Sequence, residues 1–112
     1  MLIEKNHQIR IMLEKLRKQY LESDPPEDIK NIDFFNQVKE ETNPMFELAK
    51  EWSDIADEQV KARKINIHPS QVQSTQENIE LVILHSYYID VDRKRYFELH
   101  QSIDYVLDMA EK

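Results

Sequence analysis

The chain contains no glycine and no cysteine. Without glycine there is no loop to cradle a phosphate, no dinucleotide-binding turn, no nucleophile elbow, and no Asn-Gly or Asp-Gly hairpin. Without cysteine, thiol nucleophiles, zinc ribbons, zinc fingers and disulfide scaffolds are excluded, and the composition fits a reducing compartment. Long apolar runs are missing too, since none approaches the roughly 18 to 20 residues of a membrane span. The opening Met1-Leu2-Ile3-Glu4 lacks the basic region and long apolar core of a signal peptide. A cytoplasmic location without membrane association is therefore expected. Positive charge is also scarce: 15 Lys and Arg face 22 Asp and Glu, a net charge of −7 that disfavours nucleic acid as a partner. The deficit is local, because Glu22 to Glu58 holds 3 basic and 12 acidic residues. The remainder of the chain is slightly basic.

What is present is enough for one core. Leu, Ile, Val and Phe make up 31 of 112 residues, above the level at which a charged chain stays disordered. A chain of this length fits a single domain, residues 1–112. Leu2, Ile9, Leu13, Leu16 and Tyr20 recur at helical spacing and predict a first helix that stops before Pro25-Pro26. Asp33-Phe34-Phe35-Asn36-Gln37-Val38 predicts a short extra helix over residues 33–42, capped by Asn31 or Asp33. Asn43-Pro44 then reads as cap and first position of helix two, whose stripe is Met45, Leu48, Trp52, Ile55 and Ala62. That helix is expected to end near Lys64, with Asn66 as its left-handed cap.

Pro69 opens helix three, whose run Leu81-Val82-Ile83-Leu84 and Tyr87-Tyr88 is apolar on more than one side. Such a helix touches two neighbours or carries a second contact face. Tyr96, Leu99, Ile103, Val106 and Ala110 form the stripe of helix four. A break at Ile89-Asp90-Val91-Asp92 is required, because an unbroken helix from residue 69 to 111 would reach about 60 Å. The expected architecture is an all-α, four-helix, up-and-down antiparallel bundle with the short extra helix between helices one and two.

The motifs Asp33-Phe34-Phe35, Leu48-Ala49 with Trp52, Lys61 with Arg63, Asn78, Glu80-Leu81-Val82, Ser86-Tyr87 and Lys94-Arg95 with Phe97 resemble the YppE-like family, over about residues 33–107. That resemblance implies a small cytoplasmic protein of low-GC Gram-positive bacteria with a four-helix up-and-down fold. It implies no biochemical activity.

Catalytic and metal chemistry find little support. A di-metal bundle needs Glu-x-x-His twice, and only Glu4-Lys5-Asn6-His7 fits. His7, His68, His85 and His100 fall at different heights of an up-down bundle. Ser86 and His85 are adjacent on a helix and point about 100° apart, so Ser86 is expected to bond back to a helix carbonyl. Glu98 or Asp104 near His100 offers an acidic partner to tune its pKa, and the alternative is an everyday surface pair, since Asp104 lies four residues on. No catalytic residue, metal site or cofactor is assigned.

The most informative feature is positional. Lys15 and Arg17 near the end of helix one, and Arg93 and Arg95 at the start of helix four, come to the same end of an up-down bundle. Cations at the start of a helix oppose its macrodipole, and neutralisation by Asp90, Asp92 and the acidic loop after Glu22 would be the simplest compensation. Leu81, Leu84 and Tyr88 form a stripe that, rimmed by Arg93 and Arg95, suits a protein interface. The expected function is a non-enzymatic interaction module that binds another protein or forms a homodimer. The alternative is a small-molecule or metal-binding bundle with His85, His100 and Glu77 or Glu80 turned inward.

Overall fold

A computed structural model describes residues 2–112. They form four helices: α1 Leu2–Glu22, α2 Ile32–Lys61, α3 Pro69–Tyr88 and α4 Arg93–Ala110. Successive helices run antiparallel. Asn6 of α1 meets Trp52 of α2 and Leu107 of α4, while Tyr20 at the far end of α1 meets Tyr96 at the start of α4. Ser86 near the end of α3 likewise meets Tyr96. α3 packs against all three other helices, which explains why its sequence is apolar on several sides.

The stripe of α1 is buried as its spacing requires, from Leu2 through Ile9, Leu13 and Leu16 to Tyr20. The helix ends just before the Pro25-Pro26 segment, whose first ring disfavours helical geometry at Asp24.

The predicted short helix over 33–42 is not a separate element, and helix two does not begin at Pro44. Both belong to α2, which is capped by Asn31, whose Oδ1 accepts the Asp33 and Phe34 amide hydrogens at 2.9 and 3.1 Å. Pro44 lies inside this helix on an exposed turn. Its missing N–H strands the carbonyl of Glu40, an exposed residue whose backbone is open to solvent. Val38 and Thr42 before the proline, and Ala49, Trp52 and Ala56 after it, bury one continuous face. Burial of that face outweighs the local preference of Asn43-Pro44 for a helix start. At about 1.5 Å per residue, the 30 residues of α2 run nearly the full 47 Å length of the molecule.

The C-terminus of α2 also differs from expectation. The left-handed residue is Arg63, with φ 59°, and not Asn66. Lys64 N–H donates to Gln59 O at 2.9 Å and Arg63 N–H to Val60 O at 3.0 Å, which is a Schellman closure. α3 begins at Pro69 with His68 as its cap: Nδ1 accepts from Ser70 N–H, and Gln71 Oε1 accepts from His68 N–H at 2.8 Å. The predicted break between α3 and α4 is present, closed by Ile89 at φ 49° and opened again by Asp92, which accepts from Arg95 N–H at 2.8 Å. A β-branched residue is costly in the left-handed region. Ile89 offsets this by packing its side chain on the core.

Trp52 and Tyr96, both fully buried, centre the core. Tyr96 stacks on Tyr20 with ring centroids 3.9 Å apart. Ser86 Oγ donates to Val82 O at 2.6 Å, as expected for a helical serine in a crowded seam, and this leaves the Tyr96 hydroxyl to donate to Ser86 Oγ. Burial pushes the Tyr96 phenol up to about 12, so it stays protonated.

Candidate functional site

α3 turns Ile79, Val82, Ile83 and Ser86 inward. Leu81, Leu84 and Tyr88 are then left on another side, at the three-four spacing that keeps them on one face. Leu84 is 39% exposed. Together with Tyr88 it walls an apolar groove of about 240 Å³ whose opposite side is Phe35, Val38, Thr42 and Phe46 of α2. Phe35 is 51% exposed at its mouth. The ring of Phe34 meets Tyr88 edge-on at 5.6 Å, fixing the tyrosine at one end of the groove. Lys39 supplies the only charge among the groove's lining residues.

Arg93 and Arg95 follow on the first turn of α4 and are exposed. The compensation expected from Asp90 and Asp92 does not take the form of ion pairs with Arg93 or Arg95; Asp92 acts through the α4 N-terminus. Asp90 Oδ1 lies 2.7 Å from His85 Nδ1, and Asp92 is used as the helix cap. Among the described residues, Lys15, Arg17, Arg93, Lys94 and Arg95 make no ion pair; the pairs present are Lys5–Glu51, Arg10–Asp108, Arg10–Glu111 and His85–Asp90. The Tyr20–Tyr96 stack brings the end of α1 and the start of α4 to one end of the bundle. Of the predicted residues, Leu84 and Tyr88 line the α2–α3 groove and Leu81 shares their helix face. Lys15 is exposed on α1. Arg17 is half-buried and turns into a different groove, between α1 and α4.

That second groove, of about 350 Å³, holds the residue that pattern reading placed least well. His100 is 3% exposed, its ring lies against Tyr96 at 4.7 Å, and its Nε2 has no hydrogen-bond partner. It is not a surface histidine tuned by an acidic neighbour. Burial lowers its pKa to about 4, and the Arg17 guanidinium pushes the same way. Across the groove, burial raises the Asp104 carboxyl, with Arg10 and Arg17 opposing. The signal was present in the sequence: His100 follows Tyr96 by four residues and Leu99 by one, inside the apolar stripe. The inward set of His85, His100 and Glu77 or Glu80 does not assemble, since His85 is tied to Asp90 and Glu77 is exposed. No three His, Asp or Glu side chains converge as a metal set among the described residues.

Residues 6–112 match the sequence model of a bacterial domain of unknown function, DUF1798. The chain belongs to this family. YppE of Bacillus subtilis (strain 168), an uncharacterised protein, is 30% identical over 78 residues, which span 69% of this chain but 63% of YppE. The DUF1798 fold of the present chain agrees with a crystal structure of YppE at a TM-score of 0.80 and 27% identity, covering 96% of this chain and 86% of that one. A solution NMR structure of YppE gives 0.78 at 26% identity, over 97% and 88%. The YppE-like motifs quoted from the sequence thus sit in a YppE-like bundle. No helix among the described residues is long and apolar enough to cross a membrane.

Proposed function

We propose that this DUF1798 protein is a non-enzymatic interaction module whose partner docks on the α2–α3 groove and the Leu81, Leu84, Tyr88 face. The observation that supports this is the partly exposed apolar row of α3 running into an apolar groove, beside Arg93 and Arg95, which make no ion pair among the described residues. Apolar side chains from a partner would fill the groove, with the tyrosine as an amphipathic anchor. Arg93, Arg95 and Lys15 would meet acidic groups at its edge and speed encounter. A second copy qualifies as that partner, since the segment Glu22 to Glu58 of the same chain is strongly acidic.

The test pairs an apolar and an electrostatic variant. Leu84→Glu places a charge in the groove, and Arg93→Glu with Arg95→Glu reverses the rim. Leu84 is partly exposed, Arg93 and Arg95 make no side-chain ion pair among the described residues, and the reversal favours the α4 macrodipole. The wild type is expected to self-associate in light scattering or to retain a defined protein in a pull-down, with both variants folded and losing that species. Folded variants that keep every partner and the same mass would refute the reading.

A further inference from the structure

Three exposed apolar side chains adjoin the α2–α3 groove. Ile32 opens α2 and is 71% exposed, Phe35 follows one turn later, and Ile29, just before the helix, is 58% exposed. Ile32, Phe35 and Lys39 fall on one helical face. Phe35 and Lys39 line the groove, so this ridge runs directly into it. The core holds α2 through Val38, Ala49, Trp52 and Ala56, and the fold of one copy gains nothing from leaving Ile29 and Ile32 in water. A contiguous exposed apolar patch marks an interaction surface. A contact between two like surfaces requires a ridge and a groove on the same face, so that each copy both gives and receives. This face has both.

The charges around it are self-complementary as well. α2 and α4 flank α3 on opposite sides. Arg93 and Arg95 stand exposed on α4, and Glu40 and Glu41 stand exposed on α2; none of the four makes an ion pair among the described residues. Within one copy α3 lies between the two sets. The Phe34 ring meets Tyr88, which sets the register: at about 1.5 Å per residue, Ile32 lies about 4.5 Å to one side of Phe35 along the groove and Leu84 as far to the other. A two-fold axis at Phe35, over the seam between α2 and α3, therefore brings each copy's Ile32 to the level of the other's Leu84. The same rotation carries Arg93 and Arg95 over the acidic flank of the second α2. The net charge of −7 opposes association at long range, but at physiological salt such repulsion is screened beyond about 8 Å, and the local pairs decide orientation.

We propose that the occupant of the α2–α3 groove is a second copy of this chain, packed about a two-fold axis near Phe35, with Ile32 of each copy seated against Leu84 of the other. This rests on the docking reading above and narrows it to one partner. Apolar contacts at Ile32, Phe35 and Leu84 supply the affinity, and Arg93 and Arg95 against Glu40 and Glu41 set the alignment. A different protein would account for the groove and leave the ridge at Ile32 without a role.

The experiment measures the mass of the full chain by sedimentation equilibrium from micromolar to millimolar concentration, where the wild type is expected to dimerise. Ile32→Asp is the apolar variant. At the first position of α2 an acidic residue favours the helix macrodipole, so the monomer keeps its fold while the dimer should weaken about tenfold or more. Arg93→Glu with Arg95→Glu, and Glu40→Lys with Glu41→Lys, should each weaken the dimer. An equimolar mixture of these two variants should restore it, because one contact across the axis then pairs reversed charges and the other native ones. Each variant is checked for native circular dichroism. A dimer that Ile32→Asp leaves intact, or a mixture that associates no better than its components, would overturn the proposal. A wild type that stays monomeric at every concentration would overturn it too; the broader docking reading would then survive only if Leu84→Glu abolished capture of a different protein.

Discussion

Asn6 accepts the indole proton of Trp52 at 2.6 Å across the α1–α2 seam, although 46 residues separate the two. Both side chains are completely buried, and Asn6 also directs its amide toward Leu107 O at 3.4 Å. One asparagine thus registers three helices around the only tryptophan. Asn6→Ala strands a buried indole N–H and opens a cavity, for an expected loss of about 2–4 kcal/mol. Trp52→Phe removes the donor. In a double-mutant cycle by urea unfolding, the two losses should fall short of additivity by about 1 kcal/mol or more; full additivity would mean that the hydrogen bond contributes nothing.

Pro44 gives a second expectation, opposite in sign to the usual effect of a core mutation. Because it sits within α2 and faces solvent, Pro44→Ala restores an N–H for the Glu40 carbonyl and removes a ring that crowds the preceding turn. The gain should be about 1–3 kcal/mol, read as a higher urea midpoint at unchanged m-value. Were residue 44 the first position of a new helix, the same substitution would be neutral or destabilising.

His100 predicts a pH dependence with a definite sign. The unfolded chain takes up the proton near 6.5, whereas the folded protein does so only near 4. The unfolded state therefore binds more protons in that window, and stability rises with pH across it. The contribution is complete above about 6.5 and is lost as pH falls toward 4, on the order of 3 kcal/mol in all. Asp104 and Glu80, whose carboxyls are raised by burial, act in the opposite sense on acidification. The difference between wild type and His100→Gln isolates the histidine: it should shrink as pH is lowered from neutrality toward 4. Parallel stability curves for the two proteins would contradict the burial account.

Elements whose signals are local were legible in the sequence. The α1 stripe, the Pro25-Pro26 stop, the start at Pro69 and the break before Asp92 each depend on side-chain spacing, a missing amide or a capping carboxylate within a few residues. The same is true of α3, where too many apolar residues for one core stripe left open a helix with several neighbours or a second contact face; α3 packs on all three other helices, and Leu81 and Leu84 stay partly exposed. The resemblance to YppE-like proteins rested on motifs along those same helices, and the family match bears it out.

What the sequence by itself determined, then, was four amphipathic helices, their order and their up-and-down packing, because periodicity and caps are written into neighbouring residues. Only the tertiary structure decided that α2 runs through Pro44, since the burial that holds it together is summed over residues 38 to 56 against other helices. It also decided that Arg63 and not Asn66 turns left-handed, that Asp90 and Asp92 are committed to His85 and to a helix cap, and that Arg17 and His100 share a groove. Each of these is a competition between partners distant in sequence, and only the distances in the folded bundle settle which partner wins.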